Sequence, residues 1–494
     1  MRLQSLSHPT EVQYHVQGHG TNKYPAKAHA RRVAEATGSS SAVIGLEGVK
    51  TVPYSNSDQP RHFRQDRYFY YITGCNEPGC YVTYEVSRDF LTLWLPKSDP
   101  RRIFYDGRGS TPEEAMAKYD IDKARYIEPG KDIAWLVKTC GASIKNTMLL
   151  DMPISAHSQP ARSNPDVLRH AMDSCRAIKD ADEIKLIREA NRISSEAHRQ
   201  VLKHLSQFDR EAQAEGLFLN TCIVAGAKEQ AYGPIVGSGP NAGTLHYQAN
   251  DEPFEDRQVL LIDASCEFQL YAADITRTMP LNREKPGYWP SKEAETIYNI
   301  VEKVQESCIR MLKPGVRFSD VNWHAIDMTI DALLEIGLLK GKREEILHVG
   351  TVGAFFPHGL GHHLGLEVHD ITPTSADSEE SSPKSRSNAC GFGFAHTAFV
   401  PGTFSATPLT PGNVVTIEPG LYFNKYNLDT VYLPDPKHSQ HIDTEVLKRY
   451  MPVGGVRIED DILITDTGYE NLTPAVKGEE MLKVIRKGAA GKSE

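Results

Sequence analysis

A chain of 494 residues is too long for one compact core, so two or more domains are expected. Its formal net charge of −9 at pH 7, with no basic cluster, argues against nucleic acid as the main partner. No stretch reaches the roughly 18 apolar residues of a membrane span, and residues 1–19 lack an apolar signal core, so a soluble, cytoplasmic protein is expected. The eight cysteines are scattered from Cys75 to Cys390, and the nearest pair, Cys75 and Cys80, has no matching second pair. Reduced thiols are therefore expected rather than a disulfide framework or a zinc knuckle.

In chain order, residues 1–20 show no period and read as a loosely held arm. An Ala- and Arg-rich segment, 24–37, predicts a helix, and 41–46 a strand. Strands are also predicted over 66–72, 80–86, 91–95, 103–105 and 147–150. Thr111, Pro112 and Glu114 form a helix start, in which Thr caps, Pro takes the first turn and Glu reaches back. Alternating strands and helices predict an α/β domain with no ligand cluster of its own. Residues 153–165 turn Ser- and Pro-rich and read as a linker. Asp180 and Glu183, at capping-box spacing, open a long helix whose apolar positions Ile184, Ile187, Ala190, Ala197 and Val201 share a face. Two more amphipathic helices are predicted over 293–312 and 320–336, with apolar stripes read as core. From 372 to 410 the periodicity fails and Ser, Thr, Pro and Gly dominate, which predicts a mobile inserted loop.

The chemistry concentrates in four stretches. In V-L-L-I-D-A-S-C-E-F-Q-L-Y-A-A-D-I-T-R-T-M (259–279), a symmetric hairpin centred between Phe268 and Gln269 sets Asp263 opposite Asp274. Like charges so opposed repel, and the flank Leu260, Leu261 and Ile262 makes their burial costly unless a cation lies between them. The alternative is a surface hairpin with both carboxylates in water. Downstream come F-F-P-H-G-L-G-H-H-L-G-L-E-V-H-D (355–370), V-V-T-I-E-P-G-L-Y-F (414–423) and G-G-V-R-I-E-D-D-I-L-I (454–464). Asp263, Asp274, His362, Glu418 and Glu459 together offer mostly carboxylate oxygen with one imidazole, a set suited to hard divalent ions such as Mn2+ rather than to thiolate-bound zinc. Arg457 stands two residues before Glu459, so in a strand both face one way and the arginine can orient a ligating carboxylate. His363 is expected to face away from His362.

The order of these motifs resembles the proline-specific metallopeptidases with a pita-bread catalytic domain, Xaa-Pro aminopeptidase (aminopeptidase P) and prolidase. F-R-Q-D-R-Y-F-Y-Y-I-T-G (63–74) is similar to the signature of their amino-terminal domain, so the resemblance covers most of the chain. It implies an α/β amino-terminal domain with linker, 1–165, and an α+β pita-bread (creatinase/aminopeptidase) catalytic domain, 166–494, built as two pseudo-symmetric halves. It further implies two divalent metal ions, with Asp274 and Glu459 bridging them, Asp263 chelating one, His362 and Glu418 completing the other, and Glu418 taking a proton from the attacking water. His246, His358 and His369 match positions that line the substrate cleft. The activity implied is removal of the residue before proline from peptide substrates, with a homodimer as the assembly common among relatives. Prolidase, confined to dipeptides, holds the free proline carboxylate with an arginine about fourteen residues before the ligand at Glu418; Phe404 stands at that spacing and no arginine occurs from 388 to 424, with Arg386 the nearest substitute. A pita-bread binding protein without metals is the non-enzyme alternative.

Overall fold

The computed structural model describes residues 23–101, 103–128, 130–140, 147–150, 165–371 and 407–491. The expected arm, most of the linker and the loop 372–410 up to residue 406 lie outside the described residues, as do Phe404 and Arg386.

The first described residues form a helix, α1 (Ala26–Thr37), that buries Ala26, Ala30, Val33 and Ala34. Strands β1 (Val43–Glu47), β2 (Tyr81–Glu85), β3 (Phe90–Leu95), β4 (Lys123–Tyr126) and β5 (Thr147–Leu149) form one sheet in the order β4-β3-β2-β1-β5. Its central pairs are antiparallel and its two edge pairs parallel. The segment 66–72, expected as a strand, is instead a short helix, α2 (Arg67–Tyr71). Asp66 caps it by accepting from the Phe69 N–H, and Phe69, Tyr70, Tyr71 and Ile72 are all buried, so no apolar period marks the helix in the sequence. Likewise 103–105 lies in a four-residue helix, α3 (Ile103–Asp106), whose Phe104 and Tyr105 face solvent. The capping box at Thr111 and Glu114 forms and opens α4 (Pro112–Lys118). Strand β4 and the helix α5 (Ile133–Thr139) carried no sequence signal.

From residue 165 onward, α6 (Pro165–Ala177) packs against α1, and α7 (Ala181–His204) begins at the expected box of Asp180 and Glu183. After α8 (Glu211–Val224) come β6 (Ile235–Ser238), β7 (Val259–Asp263), β8 (Glu267–Phe268), β9 (Tyr271–Ala272) and β10 (Thr276–Pro280). The predicted helices appear as α9 (Lys292–Met311) and α10 (Phe318–Glu335). A second strand group follows, β11 (Val414–Ile417), β12 (Gly420–Tyr422), β13 (Gly455–Arg457), β14 (Asp460–Ile464) and β15 (Tyr469–Asn471), with β13 packed against β7 and β10 of the first.

The hairpin register corrects one expectation. Asp263 pairs with Thr276, not Asp274, because the chain turns at Gln269 and Leu270 rather than between Phe268 and Gln269. Both turn residues have positive φ, 48° and 66°, the backbone that a two-residue turn needs to match the right-handed twist of its strands. Leu270 accepts that conformation while its side chain is buried in the core shared with the amino-terminal domain. The shift moves Asp274 two residues along the strand, so it remains on the face of Asp263.

Candidate active site

Asp263 ends β7, where its Oδ1 accepts from Tyr232 OH at 2.5 Å and its Oδ2 from Arg457 Nη2 at 2.6 Å. Asp274 follows β9, and its backbone N–H donates to Asp461 Oδ2 at 3.0 Å. Glu459 lies between β13 and β14; its N–H donates to the Thr276 carbonyl, and Thr276 Oγ1 returns a hydrogen bond to Glu459 Oε2 at 2.7 Å. Glu418 follows β11, with its N–H on the Leu360 carbonyl, while Thr416 N–H donates to the His362 carbonyl. Those two bonds fix the Glu418 strand against the His362 segment.

These residues converge. Oxygen or nitrogen atoms of Asp263, Asp274 and Glu459 all lie within 4.8 Å of one another, as do those of His362, Glu418 and Glu459, and those of Asp274, His362 and His369. Asp274 and Glu459 thus each belong to two of the groups. His246 lies near Asp263 and Arg457, whose charges act on its ring in opposite directions. His358 Nε2 meets Tyr422 OH at 2.8 Å, and Arg457 Nη1 donates to the same hydroxyl at 2.8 Å. The hydroxyl's proton therefore points to His358, whose Nδ1–H donates to the Gly359 carbonyl at 2.7 Å. His358 is a neutral ring, pushed down to about 3 by burial and by Arg457. His363 faces the other way, toward Lys179 and Asp370.

The donor set fits divalent cations. His362 Nδ1 donates to the His363 carbonyl at 3.0 Å, which leaves the Nε2 lone pair directed inward, 3.3 Å from Asp274 Oδ2 and 3.5 Å from Glu418 Oε1. Acceptors facing acceptors need a cation, and burial holds the His362 ring below its ordinary protonation range. Glu459 Oε1 is buried with no hydrogen-bond partner. Asp274, Glu418 and Glu459 are raised well above the ordinary carboxylate range, first by burial and then by one another and by Asp263. The described cysteines are free and stand outside these groups.

Three contributors escaped the sequence: Tyr232, Thr276 and Tyr422. Thr276 could have been found, two residues past Asp274 on the same face; Tyr422, uncharged inside E-P-G-L-Y-F, and Tyr232 carry no signal of a role. A further group, His29, Asp180 and Glu183, joins α1 to the start of α7. Its ring meets the Tyr71 carbonyl and Asp180, and Arg32 lies 3.6 Å from both carboxylates, so the cation there is a side chain.

The sequence model of metallopeptidase family M24 matches residues 185–466, and that of the aminopeptidase P amino-terminal domain matches residues 27–141. The chain belongs to metallopeptidase family M24. Its catalytic part has the pita-bread fold of that family, joined to an aminopeptidase P-type amino-terminal domain. The M24 chain is 49% identical over 488 residues to a probable Xaa-Pro aminopeptidase of Pyrenophora tritici-repentis, covering 96% of this chain and 73% of that one. It is 46% identical over 471 residues to another from Aspergillus clavatus, covering 94% of each. Among solved structures, aminopeptidase PepP of Pseudomonas aeruginosa aligns at a TM-score of 0.74 and 26% identity over 96% of this chain and 100% of that one. Aminopeptidase P of E. coli, in a low-pH form, aligns at 0.72 and 26% over the same shares.

Proposed function

We propose that this M24 peptidase is an Xaa-Pro aminopeptidase, which hydrolyses the bond before a proline in second position and releases the first residue of the peptide. The observation that carries this is the inward-facing donor set of Asp263, Asp274, His362, Glu418 and Glu459, in a chain whose relatives bear that name. Two divalent ions held there, Mn2+ being the ion this oxygen-rich set favours, would supply a Lewis acid for the scissile carbonyl and a water acidified to react near neutral pH.

The chain's own groups do the rest. Glu418 takes the proton of the attacking water and returns it to the proline nitrogen as the bond breaks. His246 and His369, held below their ordinary range, line the cleft as neutral rings that can donate N–H bonds without adding charge, while His358, whose two nitrogens are taken up by the Gly359 carbonyl and Tyr422, holds the Tyr422 hydroxyl in place. Arg457 orients Asp263 directly and Glu459 through Thr276, to whose hydroxyl its Nε donates at 3.2 Å. Peptides are the partners this site requires. No helix among the described residues is long and apolar enough to cross a membrane.

Prolidase is the second reading. A dipeptidase clamps the free proline carboxylate, and a charge-assisted pair is worth about 1.5–3 kcal/mol. Arg457 is 4% exposed and each of its three nitrogens already donates, to Asp263, Tyr422 and Thr276, so it is committed to holding the site together rather than poised to clamp such a carboxylate. Gly-Pro-Pro should therefore be cleaved, by kcat/KM, at least as efficiently as Gly-Pro once the chelated protein is reloaded with Mn2+. Hydrolysis of Gly-Pro alone would make the protein a prolidase, and full turnover by Asp274→Ala or after exhaustive chelation would defeat the metallohydrolase reading.

A further inference from the structure

His369 stands between two ion-paired carboxylates. Two residues before it, Glu367 Oε1 accepts from Arg67 Nε at 3.1 Å and Glu367 Oε2 from Arg64 Nη2 at 3.0 Å. One residue after it, Asp370 accepts from Arg176 Nη2 at 2.7 Å and Lys179 Nζ at 3.1 Å, with all three side chains buried. The segment that presents His369 is thus held at both ends by cations from outside it.

The same Arg67 reaches the other half of the site. Its Nη2 donates to Glu267 Oε1, and Arg64 Nη2 lies 2.9 Å from that oxygen. Glu267 opens β8, the hairpin arm between Asp263 and Asp274. Two guanidiniums, the buried Arg67 through two nitrogens of its fork and the exposed Arg64 through a single nitrogen, therefore meet the same two carboxylates on different loops, one leading to Asp274 and one to His369. A backbone bond from Ala272 N–H to the Gly365 carbonyl at 2.9 Å joins those loops beside them. Arg67 is 4% exposed and rides on a helix whose capping residue, Asp66, is its neighbour. The rings of His362 and His369 meet edge to face with centroids 4.3 Å apart, so a small shift of the 364–371 segment moves His369 against a candidate ligand.

We propose that Arg67 is a positioning residue, by which the amino-terminal domain sets the spacing between the hairpin that carries Asp274 and the segment that carries His369. The proposal rests on the aminopeptidase reading for its kinetic consequence, but the clasp itself is a property of the folded chain. The fork geometry is what matters. A lysine retains the charge but presents one compact ammonium, which cannot hold two carboxylates at fixed separation. A misplacement of 1 Å can cost up to about a hundredfold in rate when the displaced group acts on the transition state.

The test compares the full-length chain with Arg67→Lys, both loaded with Mn2+ and normalised to titrated metal-bound sites. For Gly-Pro-Pro the variant should show kcat lowered about tenfold or more, with KM within about twofold. Backbone hydrogen exchange should rise about tenfold in the peptides covering 364–371 and 266–273 and stay unchanged elsewhere. A merely structural role would lower Tm and the number of active sites while leaving kcat per site as it was. Unchanged kcat per site, or unchanged exchange in those two segments, overturns the proposal. If Arg67→Lys does not fold, Glu367→Gln, which removes half of the clasp at a partly exposed position, must show the same kcat and exchange changes. If the unaltered chain hydrolyses no Xaa-Pro peptide, the aminopeptidase reading fails, and the exchange measurement alone decides the clasp.

Discussion

Thr276 shows how much of the site depends on single uncharged contacts. Its hydroxyl donates to Glu459 Oε2 and accepts from Arg457 Nε, while the other Glu459 oxygen has no hydrogen-bond partner. Thr276→Val preserves shape and leaves a buried carboxylate with neither oxygen satisfied. Without metal this should cost about 1–3 kcal/mol of stability. With metal the ion takes over part of that deficit, but a ligand no longer oriented binds it less well, and divalent affinity should fall about 10–100-fold. Calorimetric titration of Mn2+ into the chelated variant measures this, and wild-type affinity would show that the hydroxyl does not orient Glu459.

At the scale of elements, the motifs whose side chains converge were readable because each places a charged residue in an apolar or Gly-flanked strand end, where burial without a cation is costly. Capping boxes at Thr111 and Asp180 were readable because their bonds are local. Register was not. Gln269 and Leu270 are poor turn residues by composition, and they turn because β7 and β10 pair and Leu270 has a buried seat, which is tertiary information. The same holds for α2, which buries Phe69, Tyr70 and Tyr71 in succession and so has no period, and for Tyr232, whose hydroxyl reaches Asp263 only in the folded chain. The turn also gives a clean prediction. Gln269 is exposed at φ 48°, a conformation that costs an ordinary L-residue about 1–2 kcal/mol and that Asn tolerates. Gln269→Asn should therefore stabilise the protein by up to about 1 kcal/mol without altering kcat, since Asp263 and Asp274 retain their register. A lower Tm would show that the turn is not under that strain.

For the whole molecule, the charge gathered at the site ties stability to pH in a direction opposite to that of ordinary carboxylates. Folded Asp274, Glu418 and Glu459 hold protons where the unfolded chain has released them, because burial and mutual repulsion raise them well above their ordinary range. Asp461 is raised to about 8 and Glu267 to about 7, each chiefly by burial. In that window the native state binds more protons, so stability falls as pH rises. The buried ring of His363 and the half-buried ring of His358, each pushed down to about 3 chiefly by burial, act the other way: the unfolded chain binds the extra protons and stability rises with pH through the ordinary imidazole value of 6.5. Unfolded imidazole is still half protonated at that value, so the histidine contribution is complete only about one unit higher, and beyond it only the carboxylates vary. The chelated protein should therefore lose Tm steadily from about pH 7.5 to about pH 8.5. Saturating Mn2+ should remove most of this slope, because the ions then stand where the protons stood, and for the same reason divalent affinity should weaken as pH falls. A melting series with chelator and with Mn2+ over this range decides the matter. A chelated Tm that is flat or rising between about pH 7.5 and about pH 8.5 would mean that the carboxylates are already balanced within the chain, and that the inward-facing set of Asp274, Glu418 and Glu459 is not poised for metal.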